Sequence, residues 1–427
     1  MLDDAEAKMW TIVTAYFKKY GVVRHQLESF DNFMYTVLPH IIQESSEINI
    51  GSGDNRHTIT LCNMSVQKPM LQESDGYDRP ILPNLARMRG VTYCSSILID
   101  VMHDMYENGK LLERRVFREI LLCKIPVMVG SSFCYTHRAD KKQECRLDQG
   151  GYFIINGIEK ALLAQEKLHT NFPFVFSVKQ PSRFQLQCEI RSCHELKMRS
   201  TSTLYIYITN TKKGQIPEMV CMLPFIDMQV PILALFRLLG VETRSEALRM
   251  ICGVDSSTPH SQLLCGILDN DSTCDMSMED LLEWLGREGT RETTKERRMR
   301  YIDHIISNEI LPHMGLTQEP QIQRNKALYL GYMVRKTIRV HIGELQSDDR
   351  DHYANKRLDT AGHLMSLLCR QVYRPFLRSF SSQLMKLHET EKLRFTNVGD
   401  LINHKKISSA FKYAFSTGNW GVQKNQS

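Results

Sequence analysis

Hydrophobic positions follow two different periods along the chain, and the two kinds of stretch occupy different regions. Trp10, Val13 and Phe17 recur every three to four residues, with Ile12 and Tyr16 beside them. That spacing predicts an amphipathic helix ending near Gly21. A second helix is expected around Leu27 to Ile42. Residues 47–80 are polar and mixed, punctuated by Asp75-Gly76 and Pro80, and predict short strands and loops. Val91-Thr-Tyr-Cys, Ser96 to Met102 and Leu121 to Val129 are rich in β-branched residues and read as strands, the last carrying Pro126. Residues 136–148 are charged and loop-like. Asn156-Gly157 between apolar runs predicts a hairpin, because a tight two-residue turn needs positive φ at both positions.

From 171 to 224 the chain alternates repeatedly, in Phe174-Val-Phe-Ser-Val, Leu186-Gln-Cys-Glu-Ile and Leu204-Tyr-Ile-Tyr-Ile, which predicts antiparallel sheet. The texture changes at Pro231, a residue suited to the start of a helix. From Ile232 to about 345 the chain reads as mostly helical. Ala361, Leu364, Met365, Leu368 and Val372 then form one face of a long helix. Pro375 lacks an amide hydrogen and is expected to end or kink it. Residues 400–427 are small, basic and poorly periodic. Strands and helices in separate runs predict an α+β, multi-domain protein with antiparallel sheets.

At 427 residues the chain is expected to hold two to four domains. Its net charge of +6 permits a polyanionic partner without demanding one, so any nucleic-acid contact should be local. The cysteines show no C-x-x-C spacing, and Cys188 and Cys193 lack a matching pair, so zinc is not expected. The cysteines read as free thiols in a reducing compartment. The first residues carry no basic, then apolar, leader pattern, and no run of 18 apolar residues exists. An intracellular protein with no membrane partner is the expectation.

Two charged runs invite a chemical reading. Arg287 to Arg300 holds six basic and three acidic residues. It suits either a phosphate-facing patch or a solvated helix with internal ion pairs, and the pairing makes the second reading the simpler one. Ser347 to Asp359 holds four carboxylates beside Arg350, Lys356 and Arg357. Clustered aspartates can bind a hard metal, but these basic neighbours favour salt bridging. The scattered histidines read as isolated core or surface residues. No nucleophile elbow, phosphate loop or H-E-x-x-H occurs, so no catalytic residue and no metal ligand is assigned.

Several segments, in order, resemble the second-largest, beta-type subunit of multisubunit DNA-directed RNA polymerases, nearest the eukaryotic RNA polymerase II type. They run from Gly21-Val-Val-Arg-His-Gln-Leu-Glu-Ser-Phe, through Arg87-Met-Arg-Gly-Val-Thr-Tyr and Ile125-Pro-Val-Met-Val, to Gly150-Gly-Tyr-Phe-Ile-Ile-Asn-Gly-Ile-Glu-Lys. Leu223-Pro-Phe, Val230-Pro-Ile, Leu311-Pro-His and Lys326-Ala-Leu-Tyr-Leu-Gly-Tyr-Met follow. Asp348-Asp-Arg-Asp-His-Tyr-Ala-Asn-Lys-Arg-Leu-Asp and Ala414-Phe-Ser-Thr-Gly-Asn-Trp-Gly-Val-Gln-Lys close the series. One such motif is weak; ten in order are specific.

The resemblance implies a protrusion over 1–170, an inserted lobe over 171–345, a return to the protrusion over 346–397, and the start of a fork over 398–427. It implies one wall of the cleft that holds DNA template and RNA–DNA hybrid, with the largest polymerase subunit and the other subunits as partners. Nucleic-acid-binding roles are implied for Asp351, Lys356 and Arg357, and for Gly418, Asn419, Trp420 and Lys424 near the fork loop. Trp420 suits either the base of the loop or a nucleobase, with packing the simpler role. Mg²⁺ is expected in the assembled enzyme, chelated mainly by another subunit. The catalytic half of the family lies beyond the motifs present, so this chain alone is expected to be an inactive N-terminal fragment. The nucleus is the expected location, or a viral factory or virion for a large DNA virus. A truncated, non-catalytic module that binds nucleic acid or polymerase is the alternative, and a free-standing polymerase lacks its metal-chelating aspartates. Gly130 and Lys167 depart from the arginines usual in the family, and Pro375 is unexpected within its helix.

Overall fold

The computed structural model describes residues 2–51, 56–73, 75–137, 144–145, 147–194, 201–210, 216–253, 259–269, 276–290 and 294–420. The chain forms two compact units, one of Met1–Gln165 with Leu358–Ser427, the other of Glu166–Arg357. Helices and antiparallel sheets are mixed throughout, an α+β architecture.

The first unit begins with α1 (Leu2–Tyr20), which ends where Gly21 turns to φ +74°. Next, α2 (Arg24–Asn32) runs through a π turn at Phe33–Val37 into α3 (Leu38–Gln43). Strands β1 (Glu47–Ile50) and β2 (Arg56–Val66) follow, then a short pair, β3 (Met70–Gln72) and β4 (Asp78–Pro80), and helix α4 (Pro83–Met88). The long hairpin of β5 (Cys94–Glu107) and β6 (Lys110–Pro126) completes a four-stranded sheet of order β1-β2-β5-β6. This hairpin is longer than the apolar runs suggested, and residues 91–93 lie outside it. Its turn is Asn108-Gly109, with φ of +51° and +73°, the same two-residue signal as Asn156-Gly157. Between β7 (Phe153–Ile155) and β8 (Ile158–Lys160) the predicted turn forms, with Asn156 and Gly157 at +51° and +77°.

The second unit starts near β9 (Gln165–Leu168). Its sheet runs in sequence order: β10 (Pro173–Ser177), β11 (Phe184–Ser192), β12 (Ser202–Thr209), β13 (Met219–Met222) and β14 (Gln229–Pro231), all antiparallel. Helices α5 (Ile232–Leu238), α6 (Arg244–Cys252), α7 (Pro259–Asp269), α8 (Met278–Gly289), α9 (Lys295–Asn308) and α10 (Pro320–Ile342) follow. One apolar core joins sheet and helices: Cys188, Ile190, Ile206 and Ile208 meet Leu235, Phe236, Leu330 and Val334. Strand β15 (Lys356–Asp359) then pairs with β9.

The chain re-enters the first unit along α11 (Ala361–Glu389) and ends its described part with α12 (His404–Thr417). One expectation fails here, and of the two outcomes expected of Pro375, an end or a kink, the end does not occur: the helix continues to Glu389. Pro375 and Gln371, whose carbonyl loses its helical partner, are both exposed, so water can satisfy that carbonyl. Burial of Tyr373, Phe376, Phe380 and Leu384 contributes roughly 1.5–3 kcal/mol each, against about 3 kcal/mol lost to the proline. Residues 404–417, expected to be irregular, form a helix that buries Ile407, Phe411, Ala414 and Phe415. Their i, i+4, i+7, i+8 spacing carried the signal. α12 packs against β6, the edge strand, where Ser408 Oγ accepts the Lys124 amide at 2.8 Å.

Candidate nucleic-acid interface

The acidic run of the second unit is largely internal scaffolding. Asp348 accepts Lys336 Nζ at 2.7 Å and the Val175 amide at 2.8 Å, while its own amide donates to the Val175 carbonyl. The Arg350 guanidinium reaches buried Glu189 at 3.0 Å and lies 4.0 Å from the centre of the Phe176 ring. Asp349 accepts the Asp351 amide at 2.9 Å. These carboxylates are occupied by a lysine and by backbone amides, so the run does not fit a hard metal. Among the described residues no cluster of three His, Cys, Asp or Glu could hold one.

The three residues predicted in this loop meet different fates. Lys356 pairs closely with Glu166 and lies 3.9 Å from Asp351, and the Glu166 hydrogen bond raises its pKa. The Asp351 side chain is 92% exposed. Arg357 is also exposed and donates to the carbonyls of Ala354 and Lys356, so its hydrogen bonds go to neutral groups. The Glu166–Lys356 pair spans 190 residues, which no local pattern reveals.

The second group lies in the first unit, at the end of α12. Gly418 closes the helix at φ +74°, its amide donating to the Ala414 carbonyl at 2.9 Å. Gly418 and Asn419 are exposed. Trp420 is partly buried, its ring 5.3 Å from Phe415 in an edge-on contact, and Phe415 in turn meets Phe153 at 4.6 Å. Lys424 lies outside the described residues.

Other singled-out motifs build the frame. Arg87 holds Glu159 at 2.7 Å and Glu144 at 3.0 Å, and its guanidinium also donates to Tyr152 Oη. Gly150 has φ +78°, and a Cβ there would sit 2.2 Å from the Val129 carbonyl oxygen. In the second unit the fully buried Lys326 donates to the carbonyls of Ile306 and Ser307 at 3.1 and 2.9 Å. It thereby caps the last turn of α9, and burial lowers its pKa to about 8. His313 bonds Ser192 Oγ at 2.7 Å and meets the Tyr329 ring edge-on. Burial, with Lys326 nearby, lowers His313 to about 4.

Sequence reasoning left out the exposed cations of α11 and α12. Residues 361–417 carry nine Lys or Arg against three Asp or Glu, a surplus equal to the +6 of the whole chain. That local imbalance was legible, but its arrangement on two packed helices was not.

Comparison with known proteins gives the wider frame. The family model described as RNA polymerase beta subunit matches residues 21–409. DNA-directed RNA polymerase II subunit 2 of Arabidopsis thaliana is 34% identical over 96% of this chain and 36% of its own length. Subunit RPB2 of Schizosaccharomyces pombe is 31% identical over 97% of this chain and 36% of its own length. Subunit Rpo2N of Methanocaldococcus jannaschii is 28% identical over 97% of this chain and 81% of its own. The chain thus spans little more than a third of the eukaryotic relatives, and the match extends across both units. With the family model covering residues of every region from Gly21 to Ser409, the chain belongs to the RNA polymerase beta subunit family.

Proposed function

We propose that this chain forms one wall of the nucleic-acid cleft of a multisubunit DNA-directed RNA polymerase. The family match over 21–409 carries the reading. In it, 1–170 and 346–397 are protrusion, 171–345 is lobe and 398–427 begins the fork. The compact units of Met1–Gln165 with Leu358–Ser427, and of Glu166–Arg357, are compatible with an inserted lobe. Asp351, Lys356 and Arg357 would face nucleic acid from the second unit, and Gly418, Asn419, Trp420 and Lys424 from the fork loop. The largest subunit, other polymerase subunits, DNA template and RNA–DNA hybrid are the partners, and the nucleus is the location. No helix among the described residues is long and apolar enough to cross a membrane.

The assembled enzyme would join nucleotides by attack of an RNA 3′-hydroxyl on an α-phosphate, with Mg²⁺ held mainly by another subunit. This chain contributes no acid, base or metal ligand to that step. Its residues position nucleic acid and support neighbouring subunits. Alone it would be inactive. Co-expression with the largest subunit and with a chain supplying the rest of the relatives' length tests the proposal. Co-purification and template-dependent RNA synthesis that needs all components are expected. Incorporation by this chain alone, or failure to co-purify, would overturn it. The second reading, a non-catalytic binding module, would instead give co-purification without synthesis.

A further inference from the structure

Helix α1 leaves its apolar face uncovered in the first unit. At 100° per residue, Met9, Trp10, Val13, Tyr16, Phe17 and Tyr20 fall within an arc of about 120°, the width of a stripe that ordinarily faces a core. Yet every described residue from Ala5 to Tyr20 is exposed, these six by 39–65%. The ring contacts of Tyr16, with Phe17 and with Tyr20, stay within the helix. The unit closes its core without this face: Phe30, Phe33, Met34 and Leu38 of the next helical segments are buried. The end of α1 is nonetheless fixed, because Gln149 Oε1 accepts the Val22 amide at 2.9 Å and the Gly21 amide donates to the Phe17 carbonyl.

A contiguous apolar stripe held in water marks an interaction surface, which scattered apolar residues do not. The helix and the relatives together choose the occupant. Trp10, Val13, Phe17 and Tyr20 follow the alternating three- and four-residue spacing with which a helix seats its anchors in a groove. The stripe is too short to pair with a second copy as a coiled coil, which takes about three heptads or more. The next positions of the same register toward the N-terminus are Glu6 and Asp3, which end it. Leu2–Tyr20 holds three acidic and three basic residues, so it lacks the positive charge that draws a helix to an anionic membrane surface. A groove on a protein is what fits, and the relatives point to which protein. This chain spans 36% of the Arabidopsis thaliana subunit, so the other 64% of that subunit folds in one molecule with the matched region. It spans 81% of the Methanocaldococcus jannaschii subunit, so there the same region stands on a polypeptide little longer than itself, which meets the rest of its polymerase through surfaces alone.

We propose that α1 docks through its Trp10–Val13–Phe17 face into an apolar groove on the part of the beta-type subunit that corresponds to the remaining length of the eukaryotic relatives, whether that part is joined to this chain or separate. Trp10 and Phe17 are the anchors, because each ring offers a large apolar surface with only two side-chain torsions to freeze. The inference rests on the polymerase reading. It goes beyond that reading by assigning the contact to a helix that precedes the matched span of 21–409.

The test co-expresses the full 427-residue chain with the largest subunit and, as a separate polypeptide, the part that supplies the rest of the relatives' length. On irradiation, a benzophenone side chain in place of Tyr16 should cross-link to a peptide of that supplied part. The same probe in place of Thr11, on the opposite face, should not. Trp10→Gln with Phe17→Gln should lower recovery of the supplied part by about tenfold or more. Glutamine keeps the helix propensity and both side chains are exposed, so unchanged thermal melting is expected of this variant. Thr11→Gln with Lys18→Gln should leave recovery as it is in the parent. Earlier melting of the Trp10 and Phe17 variant would show that α1 packs within its own unit, and the docking fails. The docking is also overturned if the probe at Tyr16 labels only a second copy, only the largest subunit or nothing, or if the Trp10 and Phe17 variant recovers the supplied part in full. In each of these cases the complex still forms and the polymerase reading survives. A parent chain that recovers no polymerase polypeptide strikes the polymerase reading, and the docking falls with it.

Discussion

Gly362, in the first turn of α11, lies so close to Ser29 of α2 that a Cβ built on it would sit 1.9 Å from the Ser29 carbonyl oxygen. The same serine accepts the Gly362 amide at 3.0 Å and the Thr360 hydroxyl at 2.5 Å through its Oγ. Residues 333 positions apart thereby fasten the returning segment to the start of the chain. Gly362→Ala should destabilise the first unit by about 3 kcal/mol or more, because neither backbone can yield without breaking helix bonds. Ser29→Ala should cost about 1–2 kcal/mol through lost hydrogen bonds. Denaturant midpoints measure both, and an alanine at 362 that leaves the midpoint unchanged would contradict the close approach.

Lys326 gives the second unit a pH signature at the alkaline end. Its folded pKa is about 8, against an ordinary 10.5. Between these values the unfolded chain binds more protons, so this group makes stability rise with pH from about 8 to 10.5. Below 8 the cost of burying its charge is fully present. Lys326→Met should remove that rise. Comparing urea midpoints at pH 7.5 and 10 for parent and variant measures it; equal rises would show that Lys326 is not the source.

An acid-side signature belongs to His103 in the first unit. It is fully buried, with Nε2 3.0 Å from His57 Nδ1. Burial, then His57 and Arg115, lower its pKa to about 4, with Asp104 and Glu113 opposing. The unfolded chain takes up this proton near 6.5 and the folded chain does not. Its contribution to stability is therefore intact above 6.5 and lost as pH falls towards 4. His103→Gln should flatten that part of the profile, read as the shift in unfolding midpoint between pH 7 and 4.5. A variant that follows the parent profile would refute the assignment.

Glu166 sets how available Lys356 is. In an assembled polymerase, Lys356→Glu should weaken DNA retention and make its salt slope shallower by about one or more. Glu166→Gln should act oppositely, because it releases the ammonium from its partner. Salt-dependent retention assays distinguish the cases. If neither change alters the slope, Lys356 serves only as an ion-pair partner within the second unit.

Much of the architecture was legible locally. Alternation at Leu186–Ile190 and Leu204–Ile208 falls on β11 and β12, and the apolar run Phe174–Phe176 falls on β10, which is buried from Pro173 to Phe176. Period two and period 3.6 are properties of a segment, as is the positive φ that Asn156-Gly157 supplies. The same reasoning applied to Asn108-Gly109, and to the spacing of Ile407, Phe411 and Phe415, would have found the long hairpin turn and α12. Ordered motifs identified the family because they persist as strings. The structure shows that Arg87, Gly150 and Lys326 among them act as fasteners of the frame.

By itself, the sequence determined the strands β10 to β12, the helical texture after Pro231, the Asn156-Gly157 turn and which family it resembles, because each of these depends on neighbours within a few residues. Only the tertiary structure decided that α11 continues through Pro375, since the apolar partners that hold it come from distant segments. It alone decided that Lys356 is engaged by Glu166 while Arg374 and Arg378 have no carboxylate beside them among the described residues. Charge on a chain is fixed by composition, but whether a counter-charge lies within reach depends on which remote residues folding brings alongside.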